Sequence, residues 1–102
     1  MPIKKEYSQN KEVCKVTFLI PKELGDQFER ICVVGDFNDW NSSSDRFVQK
    51  ENGAYLVSLM LEANKEYMFM YLGDDVNWLN EPSADKEVAG QYSGSFNSAI
   101  LL

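Results

Sequence analysis

Residues 66–72, EYMFMYL, carry the reading of the fold. Tyr67, Phe69 and Tyr71 fall on one face of an alternating pattern, and Met68, Met70 and Leu72 on the other. A period of two in aromatic and long apolar side chains predicts a β-strand, with the aromatic face toward a core. Just upstream, Ala63-Asn64-Lys65 reads as a hairpin turn leading back to a strand over 55–61. Farther upstream Asn52-Gly53, two residues that tolerate positive φ, reads as the turn of another hairpin between 46–50 and 54–62.

The same reasoning extends to both ends. Val13–Ile20 (VCKVTFLI) is rich in β-branched and aromatic residues and is closed by Pro21, so it reads as a strand. Residues 21–29 (PKELGDQFE) read as a loop with room for one helical turn, and 31–34 (ICVV) as a short buried strand ending at Gly35. The Asn, Asp and Ser residues of 37–45 (FNDWNSSSD) favour turns through local backbone hydrogen bonds. Downstream, Gly73-Asp74-Asp75 turns the chain into 76–79 (VNWL), and 96–102 (FNSAILL) forms a final strand. The polar stretch 81–95, with Pro82, Gly90 and Gly94, reads as an irregular crossing loop. Seven short strands separated by turn chemistry predict an all-β chain, a β-sandwich of immunoglobulin-like type with about seven strands. Residues 1–12 are read as an N-terminal extension and 13–102 as one domain.

Composition bounds what such a domain can do. At 102 residues, folding should bury roughly 65% of the unfolded chain's surface, and six Phe, five Tyr and two Trp can supply the core. The formal charge of −6 argues against nucleic acid or an anionic membrane as the main partner. Without histidine, Ser-His-Asp and Cys-His chemistry and the usual zinc ligand sets are excluded. Asp36, Asn38 and Asp39 recur like a calcium loop, but neither the glycine nor the terminal glutamate of such a loop follows. No metal or cofactor is therefore expected. The first residues have no apolar stretch behind their lysines, and no apolar run approaches a membrane span, so the expected address is cytoplasmic. Cys14 shares the parity of Val16, Phe18 and Ile20, whereas Cys32 is out of phase with Ile31 and Val33. Two reduced structural cysteines on opposite faces follow.

The stretch VVGDFNDW, residues 33–40, resembles the signature of the family-48 carbohydrate-binding modules. These are the early-set immunoglobulin-like domains of isoamylase, pullulanase and glycogen branching enzymes of glycoside hydrolase family 13, and of the glycogen-binding beta subunits of AMP-activated protein kinase. NGAYLVSLML (52–61), KEYMFMYLGDD (65–75), NWLNEP (77–82) and GSFNSAI (94–100) follow in the family's order and resemble its later strands, so the likeness runs from about Val13 to Leu102.

The resemblance implies an α-glucan site. Trp40 matches the family's first sugar-stacking tryptophan, and Trp78 the second, just before a turn that reads Glu81-Pro82 in place of Asp-Pro. Asn97 matches the asparagine that bonds sugar hydroxyls, and Met68 stands where glycogen-binding members carry a lysine. Tyr92, or Ser93 beside it, stands near the place of the leucine that threads between glucose units. Chemically, indole covers the apolar C–H face of glucose, and a side-chain amide meets the hydroxyl rim as donor and acceptor at once. The expectation is a non-catalytic module that binds glycogen, starch or maltooligosaccharides, with a glycogen-metabolising enzyme or a kinase-type protein as partner. The alternatives are an interaction domain that kept the fold without useful sugar affinity, and a hydrolase by association with family 13. The last conflicts with size, because such glycosidases work at the mouth of a far larger barrel.

Overall fold

The protein, described by a computed structural model over residues 3–90 and 95–102, is almost entirely β. Among the described residues the strands are β1 (Ile3–Tyr7), β2 (Val13–Ile20), β3 (Ile31–Gly35), β4 (Val48–Gln49), β5 (Tyr55–Glu62), β6 (Glu66–Gly73), β7 (Asn77–Leu79), β8 (Lys86–Ala89) and β9 (Phe96–Leu101). One helical turn, α1 (Lys22–Gly25), follows Pro21, and a 3₁₀ turn spans Asp36–Asn38. The strands form two antiparallel sheets, one in the order β1-β2-β5-β4 and one in the order β3-β6-β9-β8, with β7 also pairing β6. The chain is thus a β-sandwich, and all seven strands expected from the sequence are present.

Alternation builds the core. Cys14, Val16, Phe18 and Ile20 of β2 and Tyr67, Phe69 and Tyr71 of β6 point inward from opposite sheets and are buried. Phe18 meets Phe69 at a centroid distance of 5.1 Å, and Phe47 meets Tyr71 edge-on at 5.4 Å, geometries that suit the ring quadrupoles. The two cysteines are free and on opposite faces, Cys14 in this core and Cys32 in a smaller outer cluster with Val34, Leu72 and Trp40.

Three connections and the N-terminal segment differ from the expectation. Ala63-Asn64-Lys65 does not close a hairpin, because β5 and β6 belong to different sheets. Its backbone N–H groups serve other segments, Ala63 donating to Glu12 O and Asn64 to Leu102 O, and Asn64 takes φ 63° to turn the chain across the core. Each strand has an aliphatic or aromatic face to bury, and crossing between sheets buries both against the same core. The Asn52-Gly53 hairpin does form, but as a three-residue loop in which only Gly53 takes positive φ, at 92°. Within 81–95, Lys86–Ala89 is a strand on β9 rather than irregular loop. Finally, residues 3–7 lie in the first sheet, paired along β2 from Ile3↔Phe18 to Tyr7↔Cys14. Among the described residues no helix is long and apolar enough to cross a membrane.

Candidate functional site

The outer face of the five-stranded sheet is built by the side chains of β6 that point away from the core. Register sets Leu72 of β6 between Cys32 of β3 and Trp78 of β7, and Met70 opposite Val34. Trp78 thereby stands on this face and is 53% exposed. The Gly73-Asp74-Asp75-Val76 turn that delivers it has positive φ at both aspartates and a Val76 N to Gly73 O bond of 3.1 Å, the twist that a tight hairpin requires.

Trp40 reaches the same face from the loop after β3. Gly35 closes β3 ahead of that loop, where any Cβ would collide with the Met68 carbonyl. Asn38 staples it: its Oδ1 accepts from Gly35 N at 3.0 Å, while its Nδ2 donates to Val33 O at 3.0 Å and to Asp45 Oδ2 at 2.8 Å. Asp39 and Trp40 then take φ 54° and 58°, a left-handed pair that folds the indole back over the sheet. There Trp40 is half-buried against Cys32, Val34 and Leu72, and its Nε1 donates to Asp36 Oδ1 at 3.1 Å. The other oxygen of Asp36 accepts from Met68 N at 2.8 Å, so one carboxylate holds both the indole and the start of β6.

Between the two indoles the surface is concave. An open groove of about 830 Å³ is lined by Trp40, Met68, Trp78 and Asn97, together with Met70, Asn80 and Phe96. Four of the five residues expected from the sequence are thus brought together, from β6, β7, β9 and one loop. The fifth, Tyr92, lies outside the described residues. Asn97 is half-buried and its Nδ2 donates to Met68 Sδ at 3.8 Å. Among the described lining residues none is charged. The Cys32 thiol beneath Trp40 is pushed up by burial and then by the Asp75 carboxylate, with Arg30 acting the other way.

Behind the groove the buried Glu81 organises a polar network that sequence reasoning missed. Its Oε1 accepts from the Tyr71 hydroxyl at 2.9 Å and its Oε2 from Ser83 N at 2.7 Å, while its own N–H donates to Ser98 Oγ at 2.9 Å. Ser98 Oγ in turn donates to Asn80 Oδ1 at 3.1 Å, which ties a groove residue to the core. Burial foremost, and then the neighbouring carboxylate, push the Tyr71 hydroxyl far above the ordinary phenol range. The only sequence signals for these roles were Asp36 directly after the β3 run and Glu81 directly before a proline. Compared with known protein families and with curated proteins, the chain matches no family model and no curated protein.

Proposed function

We propose that the protein is a non-catalytic module that binds an α-glucan, glycogen, starch or a maltooligosaccharide, along the groove between Trp40 and Trp78. The observation that carries the reading is the convergence of two indoles and the Asn97 amide on one uncharged concave face, although they lie far apart in the chain. Trp78 offers the larger platform because more of it is bare; covering about 80 Å² of indole with a sugar face contributes roughly 2 kcal/mol. Trp40 adds less, since Cys32, Val34 and Leu72 already cover part of it. Glycoside cleavage needs a pair of carboxylates flanking the bond, whereas the described lining is neutral and suits binding alone. The bound glucan would link the domain to a glycogen-metabolising enzyme or kinase-type partner working on the same polymer in the cytoplasm.

Titrating maltoheptaose while following tryptophan fluorescence tests this. The expected result is a saturable change with a dissociation constant of about 0.1–1 mM, weakened at least roughly tenfold by Trp78→Ala. The second reading, a protein-interaction face, is favoured by one observation: Asn97 directs one of its two amide N–H groups to the Met68 thioether. An unchanged fluorescence up to about 10 mM sugar would select it.

A further inference from the structure

The outer face of the four-stranded sheet departs from the charge of the rest of the molecule. The chain carries a formal −6, and six of its ten basic side chains (Lys4, Lys5, Lys22, Arg30, Lys65, Lys86) stand within ion-pair reach of a carboxylate. Of the other four, Lys15, Arg46 and Lys50 line one shallow groove of about 700 Å³ on this face, beside Lys4 and its partner Glu6; only Lys11 lies elsewhere.

Register sets out the groove's floor. Lys15 faces outward from the interior strand β2, followed on the same face by Thr17 and Leu19. Thr17 lies opposite Ser58 with their hydroxyls 2.8 Å apart. Leu19 lies opposite Leu56, and Leu56 opposite Val48, so an aliphatic row runs to the edge strand β4. Arg46 and Lys50 flank Val48 at that edge, and Val48 is 57% exposed. Lysines beside a sheet edge deter unwanted strand pairing, which accounts for Lys4 and Lys50; Lys15 stands in mid-sheet opposite Glu6 of β1, whose carboxylate lies 3.8 Å from Lys4 Nζ.

We propose that this face docks a short acidic peptide segment of a partner protein. The segment's aliphatic side chains rest on the row of Leu19, Leu56 and Val48, and its carboxylates meet Lys15, Arg46 and Lys50. Four strands span about 14 Å, roughly five residues of extended peptide, so both kinds of contact fit one segment. The floor favours a peptide over a nucleic acid: it is aliphatic and lacks the aromatic platforms on which bases stack. A long polyphosphate would also run past the groove into the field of an acidic protein. This groove and the one between the indoles lie on opposite sheets, so the two ligands would bind independently.

The test is fluorescence anisotropy of a labelled peptide of alternating Glu and Leu, with the Gln-for-Glu peptide and a single-stranded oligonucleotide as comparison probes. The expected result is binding to the acidic peptide that weakens about tenfold or more in the double variant Lys15→Glu/Arg46→Glu, and similarly as salt rises from about 20 to 300 mM. Lys11→Glu, which changes the net charge by the same amount per site, should leave binding unchanged, as should saturating maltoheptaose. The milder pair Lys15→Gln/Arg46→Gln, with its thermal midpoint measured, separates lost contacts from lost folding. Absence of binding at low salt, equal binding of the Gln peptide, tighter binding of the oligonucleotide, or indifference to both double variants would each overturn the proposal.

Discussion

At Trp40 and Trp78 two side chains of one type do different work. Trp78 stands on a short strand with half its surface bare, so Trp78→Ala should weaken sugar binding at least roughly tenfold while shifting the unfolding free energy by no more than about 0.5 kcal/mol. Trp40 is partly core, packed on Cys32, Val34 and Leu72, and Trp40→Ala should weaken binding and also cost roughly 1–3 kcal/mol, read together by titration and urea unfolding. The sharpest structural substitution is Tyr71→Phe. It leaves a buried Glu81 oxygen without its hydroxyl donor and should destabilise the fold by about 1–3 kcal/mol, measured by the urea midpoint. The groove residues Trp40, Trp78 and Asn97 were legible because tryptophan and asparagine stand at quotable places in short motifs. Asp36 and Glu81 were not, since an acidic residue beside a turn has many ordinary uses and only its hydrogen bonds in three dimensions give it a task.

Among the elements, alternation was readable and pairing was not. VCKVTFLI and EYMFMYL announce their inward faces, and the structure buries those residues. Which strands become neighbours depends on chain reversals whose short loops read alike: Ala63-Asn64-Lys65 crosses between sheets, while Gly73-Asp74-Asp75 closes a hairpin. Lys86–Ala89 escaped notice because an edge strand needs only one apolar residue facing the sheet, and here only Val88 is partly buried. The segment before it holds a clasp between sheets. Asp85 Oδ2 accepts from Lys5 Nζ at 2.6 Å and from Leu101 N at 2.7 Å, joining β1 to β9. Burial alone would raise the Asp85 carboxyl, but the Leu101 N–H and the Lys5 ammonium outweigh it and hold it below its usual value. A carboxyl depressed in the folded state stabilises fully above its unfolded pKa, near 4, and loses that contribution as pH falls through the lower folded value. Accordingly, urea midpoints of the native chain and Asp85→Asn should differ at pH 6 and converge as the pH drops below about 4.

For the whole molecule, the two outer faces of the sandwich differ in chemistry. One holds a neutral groove between indoles, the other a cationic groove in an otherwise acidic protein. Salt should therefore tell them apart. Maltoheptaose affinity should change less than about twofold between 20 and 300 mM salt, because screening acts on charges and this groove's described lining has none. The central claim is that an α-glucan lies across Trp40 and Trp78, and nuclear magnetic resonance tests it most directly. In a titration of the isotope-labelled protein with maltoheptaose, both indole N–H signals and the backbone amides of Met68, Met70 and Asn97 should shift together along one saturation curve. Unmoved indole signals at about 10 mM sugar, or shifts confined to the face of Lys15 and Ser58, would contradict it.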